Sequence, residues 1–204
     1  MFRKINVLVL LAALLLAGCG MLGAQRERPP HPPSVEELHA VAQQEMKDFA
    51  DYPGASLGQL YEWCTLPSDA LERYRAPARM SVFLECNGLW QVPVVADDKV
   101  CAEIEVAFEQ GRWRTAGRSR APECGSNLNL LLAFTKQPEH AALGRPVLVA
   151  FHPPAGIFAL FNKGFDEQLL QLSGPLEPPH AMHLYRTDEV MPEMIEVYKG
   201  WPGW

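Results

Sequence analysis

Residues 89–119 constrain this chain most, because apolar and polar side chains there alternate with a period of two across three segments broken by two-residue turn signals. Residues 89–96, 100–109 and 112–119 read as strands, with Asp97-Asp98 and Gln110-Gly111 as the turns between them. Ahead of them, residues 80–86 read as one more strand, and Asn87-Gly88 is a dipeptide that favours a two-residue hairpin. Four strands joined by three tight turns make an antiparallel meander. Centring the third turn on Gln110-Gly111 sets Phe108 opposite Trp113, Glu109 opposite Arg112 and Glu103 opposite Arg118. Ile104, Val106 and Phe108 then share an apolar face. The four arginines of this segment, Arg112, Arg114, Arg118 and Arg120, read as a solvated strand face opposed by glutamates, each cross-strand pair contributing a few tenths to about 1 kcal/mol. The alternative is a patch contacting lipid headgroups or an anionic glycan.

The flanking sequence supplies helices. Ser34 and Glu37 form a capping box and open a helix on which Leu38, Val41, Ala42, Met46 and Phe49 recur on one side, with Tyr52-Pro53-Gly54 closing it. Residues 56–63 read as a second short helix, and Pro67-Ser68-Asp69 as the start of another turn. Beyond the meander, residues 126–134 read as a helix burying Leu128, Leu131 and Leu132, and 145–152 and 157–162 as two strands. Residues 165–172 and 192–199 read as helices, the latter with Pro192 in its first turn and Gly200 past its end. The fold class expected is α+β: an antiparallel sheet (the four-strand meander plus two further strands) covered by helices, with an N-terminal helix.

The first residues address the chain rather than fold it. Arg3 and Lys4 precede an apolar run from Ile5 to Ala17, the pattern of a secretory signal, too short for a comfortable membrane span of roughly 20 residues. The run ends in Leu16-Ala17-Gly18-Cys19, which resembles a lipobox, the bacterial lipoprotein signal whose cysteine is lipidated and becomes the mature N-terminus. The resemblance covers residues 1–19 alone and implies an anchor at Cys19, of which two or more acyl chains hold stably. It places the chain outside the inner membrane: at the outer membrane of a Gram-negative cell, since Gly20 stands where an aspartate would signal retention, or at the outer face of a Gram-positive membrane. Residues 19–34 follow as a tether ending in Pro29-Pro30-His31-Pro32-Pro33, and residues 35–204 read as one domain. Fully stretched, the tether reaches about 45 Å at about 3.1 Å per residue.

Cysteine count and charge narrow the rest. With Cys19 assigned to lipid, Cys64, Cys86, Cys101 and Cys124 remain in an exported chain, where disulfides are favoured. Cys86 and Cys101 fall toward opposite ends of the expected sheet, so the pairing expected is Cys64–Cys86 and Cys101–Cys124, within the Cα limit of about 7 Å. Removing residues 1–18 removes two of the 18 basic residues and none of the 24 acidic ones, leaving a formal charge of −8. Such a charge argues against nucleic acid as a partner, whose binding draws on phosphate neutralisation.

Motifs for catalysis are not apparent: there is no nucleophile elbow, P-loop, Rossmann glycine pattern or His-Glu-x-x-His. Asp97/Asp98 and Asp188/Glu189 fall at turns and caps. His180 and His183, with Met191 and Met194 downstream, make a weak candidate for copper, since imidazole and thioether suit that metal but methionines also fill cores. No cofactor is implied. Trp201 and Trp204 need a place to go, either back onto the domain or into a contact with a partner or the membrane interface. The function expected is a non-enzymatic binding or sensor domain of the cell envelope, for an unknown protein or small-molecule ligand. The alternatives are an envelope enzyme acting on glycan or peptide, or a structural subunit of an envelope complex.

Overall fold

A computed structural model describes residues 28–120, 122–151, 156–164, 166–174 and 183–200, with the backbone alone described at 122–126 and 198. Cys19, His180, Trp201 and Trp204 lie outside the described residues, as does the side chain of Cys124.

The chain order is α1 (Val35–Gln43), β1 (Ser56–Leu57), β2 (Tyr61–Leu66), α2 (Ser68–Arg73), β3 (Glu85–Ala96), β4 (Lys99–Glu109), β5 (Arg112–Ser119), α3 (Pro122–Thr135), β6 (Val147–Phe151), β7 (Gly156–Phe161), β8 (Gln168–Ser173), β9 (Leu184–Arg186) and α4 (Thr187–Lys199). Short 3₁₀ turns occupy Met46–Phe49, Met80–Phe83 and Pro138–Leu143. Among the described residues one nine-stranded open sheet forms in the order β5-β4-β3-β2-β6-β7-β8-β9, with β1 paired beside β3. Every pairing is antiparallel except β2 with β6 at the centre. Outward from that central pair, β3-β4-β5 flank β2 and β7-β8-β9 flank β6, with α3 following β5 and α4 following β9 in the chain.

Local chemistry accounts for the elements that match expectation. Ser34 Oγ accepts from the Glu37 N–H at 3.1 Å while the Ser34 N–H donates to Glu37 at 2.9 Å, closing the capping box of α1. The turns at Asp97-Asp98 and Gln110-Gly111 take positive φ at both central residues, as a type I′ turn requires. β4 and β5 have the expected bounds to within a residue, whereas β3 ends as expected at Ala96 but starts four residues early, at Glu85.

Five assignments differ. Asn87-Gly88 makes no hairpin: β3 runs through it, Gly88 takes φ +63°, and the extra residues form an irregularity opposite Trp63/Cys64. Residues 80–83 are a 3₁₀ turn, so the fourth meander strand is β2, reached through α2. Residues 56–63 hold β1 and the start of β2 instead of a helix. Residues 168–173 form β8 instead of a helix, because Leu169, Leu170 and Leu172 are each buried by a sheet covered on both sides. Finally, α4 begins at Thr187, placing Pro192 inside it.

Helices cover the sheet on two faces. On the front, α1 packs Leu38 and Ala42 with Phe49 against Trp90, Val92, Ile104 and Val106. Beside it, α2 and α4 pack Leu71, Val190, Met191 and Met194 against Leu66, Val149, Phe158 and Leu160. On the back, α3 alone lays Leu128, Leu131 and Phe134 across Tyr61, Leu148, Phe161 and Leu170. Buried aromatic and aliphatic side chains of this kind contribute about 1.5–3 kcal/mol each, and the two-sided cover explains why the central strands read as continuous apolar runs.

Candidate functional site

The predicted cysteine pair Cys64–Cys86 exists, because the strand register sets the two residues opposite each other on β2 and β3, their Cα atoms 4.2 Å apart. Cys64 is fully buried and Cys86 half-buried. The other pairing is corrected: Cys101 is a free thiol, its Sγ donating to the Val94 carbonyl at 3.3 Å. An irregularity between Val94 and Val95 turns Cys101 to the front face with the α1 cluster, whereas α3, which carries Cys124, packs on the back. Burial raises the pKa of the Cys101 thiol, keeping it unreactive.

A groove of about 1010 Å³ opens on the front face beside the disulfide. Residues 28–33 of the tether form one wall, and Glu62, Cys86, Trp90, Arg145 and Lys163 contribute to the rest. The tether passes close to Gly88, where φ is +63° and a Cβ would stand 3.0 Å from Pro29 Cδ, so glycine suits the position on both counts. The Arg145 guanidinium lies 5.3 Å from the centre of the Trp90 ring, a cation–π distance. Lys163 Nζ sits 3.8 Å from Glu62 Oε2 and 3.9 Å from Cys86 Sγ. Glu62, Cys64 and Cys86 also bring three candidate metal-ligand atoms together, but the two sulfurs are bonded to each other and a single carboxylate remains. The arrangement offers charges of both signs around one aromatic ring, suited to holding a zwitterionic or peptide-like ligand.

The four arginines do not form one patch. An irregularity between Glu105 and Val106 shifts the β4–β5 register, so Arg118 stands opposite Ile104 and Glu103 opposite Ser119. Arg118 therefore points to the front, where it pairs with Glu45 at 2.6 Å and with Asp48. Arg120 pairs with Asp51 at 2.9 Å and lies over the Phe49 ring. These ion pairs tie β5 to the segment after α1, and each contributes at most about 1 kcal/mol at such exposure. Glu109 does face Arg112, and Phe108 packs edge-on against Trp113 as expected. Arg114 turns to the back, where its Nε is buried without a partner. Of the copper candidate, Met191 and Met194 are core residues on α4, His183 is exposed and packs edge-on against Tyr185, and His180 lies outside the described residues.

Sequence reading missed a polar cluster on the back of β3 and β4. Gln91, 5% exposed, donates from Nε2 to Glu105 Oε1 at 3.2 Å. Burial first, and the neighbouring Glu105 carboxylate second, raise the Glu103 pKa to about 7. The signal was present in Glu103 and Glu105 at i and i+2, which share a face whatever the register. By alternation alone the two glutamates fall on the solvated side of the strand.

A second cleft of about 430 Å³ is lined by Arg79, Asp166, Glu167, Arg186 and Asp188 among others. Its buried carboxylate, Glu167, accepts from the backbone N–H groups of Ser81 and Gly164, which gives it a structural task. Among the described residues no helix is long and apolar enough to cross a membrane. The fold and groove define an α+β domain with a mostly antiparallel open sheet. No family model, curated protein or solved structure matches the chain.

Proposed function

We propose that this chain is an exported lipoprotein, anchored through Cys19, which displays a non-enzymatic binding domain on the outer side of the inner membrane. The observation that carries the reading is Leu16-Ala17-Gly18-Cys19 after a basic start and a short apolar run. The structure adds support by seating residues 28–33 against the groove, so the tether doubles as one wall of the candidate site. Eight residues, 20–27, then separate Cys19 from the wall, and the site is held within about 30 Å of the anchor at about 3.1 Å per residue. The ligand class that fits is a small zwitterion or peptide segment meeting Glu62, Lys163 and Arg145 beside Trp90. Gly20 favours the outer membrane if the cell is Gram-negative.

The test is metabolic labelling with a radioactive fatty acid in cells expressing the wild type and Cys19→Ala. Label on the wild type and none on the variant is the expected outcome. Label retained after Cys19→Ala overturns the anchor.

A further inference from the structure

Gln91 is the cross-strand partner of Glu105, and Pro93 of Glu103, so Gln91 stands directly beside one carboxylate and diagonal to the other. Diagonal neighbours on one sheet face are about 7–8 Å apart, a span that two side chains of glutamate length can close. The Gln91 Nε2 bond to Glu105 fixes the amide with its Oε1 free, and that buried oxygen has no partner. Glu103 Oε1 is likewise buried and unpartnered. The second oxygen of Glu105 leans toward β5, where Gly117 makes room: a Cβ there would stand 2.8 Å from Glu105 Oε2.

Gln91 Oε1 accepts at every pH and Glu103 Oε1 accepts once its carboxyl ionises, and a buried acceptor left without a donor costs about 1–3 kcal/mol. What completes the cluster is therefore positively charged or a donor. Arg114, opposite Ala107 on β5, is the nearest arginine by register on that face, but its Nε makes no hydrogen bond to either glutamate. Two carboxylates and an amide carbonyl are hard oxygen ligands, the set that suits Ca²⁺, Mg²⁺ or Mn²⁺ over softer metals. We propose that Gln91, Glu103 and Glu105 form a binding site for a divalent cation of this hard class on the back of the sheet. The cation takes Gln91 Oε1 and Glu103 Oε1 as ligands, displacing the proton from Glu103, and is steadied by the Glu105 charge. Arg114 opposes it, which sets the affinity in the weak range of extracellular sites, about 10⁻⁴ to 10⁻³ M.

The probe is Mn²⁺, read as loss of the free-ion paramagnetic resonance signal on adding full-length protein in detergent, stripped beforehand with chelator, at pH 8. The expected result is one Mn²⁺ per chain, displaced by Ca²⁺, with about tenfold or greater weakening in Glu103→Gln and in Gln91→Leu. Glu36→Gln, on the exposed first turn of α1, binds like the wild type. Glu103→Gln removes a buried charge without changing shape and stays folded by circular dichroism, so its loss of Mn²⁺ reads the site even if Gln91→Leu fails to fold. No bound Mn²⁺ at 5 mM metal, or equal binding by Glu103→Gln and the wild type, overturns the proposal and leaves the cluster to water.

Discussion

Replacing Glu103 by glutamine tests the back-face cluster through stability alone. The carboxyl titrates near 4.5 in an open chain and at about 7 in the fold, raised by burial and by Glu105. An acid with a raised folded pKa stabilises the fold fully below about pH 4.5, where it is protonated in both states. That contribution is lost as the pH rises through 7, because the folded state must then hold a charge the unfolded chain carries freely. At 1.36 kcal/mol per pH unit the interval from 4.5 to about 7 has a ceiling of about 3 kcal/mol. Glu103 is only partly buried, so solvent screening reduces this to about 1–2 kcal/mol. Glutamine keeps the shape and cannot ionise. Glu103→Gln should therefore match the wild type near pH 4.5 and exceed it at pH 8 by about 2–8 °C in Tm, at about 2–4 °C per kcal/mol. The assay is thermal melting of both proteins across pH 4.5–8 with chelator present, read as the difference between the curves, in which titrating groups remote from Glu103 cancel. Parallel curves, or a variant that is less stable at pH 8, would refute the assignment of a raised pKa to this residue.

The disulfide and the C-terminus give two further expectations. Reducing Cys64–Cys86, whose residues are separated by 22 positions, should cost about 2–4 kcal/mol, seen as a lower denaturant midpoint in reducing buffer. Cys101→Ser should leave the wild-type response to reductant unchanged, since its thiol is free. Truncating Trp201–Trp204 should lower the melting temperature by several degrees if the two tryptophans pack on the domain, each core tryptophan contributing about 3–5 kcal/mol. Unchanged melting would assign them to a partner.

Glu103 also shows where the sequence stopped. The strands at 89–119 were legible because period-two alternation and positive-φ turn residues act over a few residues, and their cause is local sterics. The capping box at Ser34 belongs with them. Three features were not legible. Gly88 bears the mark of a hairpin but serves a bulge that admits Pro29. The irregularity at Glu105/Val106 sends Arg118 to the front and leaves Glu103 facing Ser119. Residues 168–173 have a leucine pattern that suits helix or buried strand equally, and β7 decides between them by offering an edge.

By itself, then, the sequence determined the strand-turn-strand core and the start of α1, both set by neighbours within a few positions. Only the tertiary structure decided that β2 and β6 meet in parallel, which joins the strands before α3 and those after it into one sheet. It also decided which residues lie together: Trp90 with Arg145, Cys86 with Lys163, and Gln91 with the two glutamates. The reason is physical. A bulge of one residue reverses every side chain beyond it, at little local energetic cost, and long-range pairing rewards the reversal only once the opposing elements are in place.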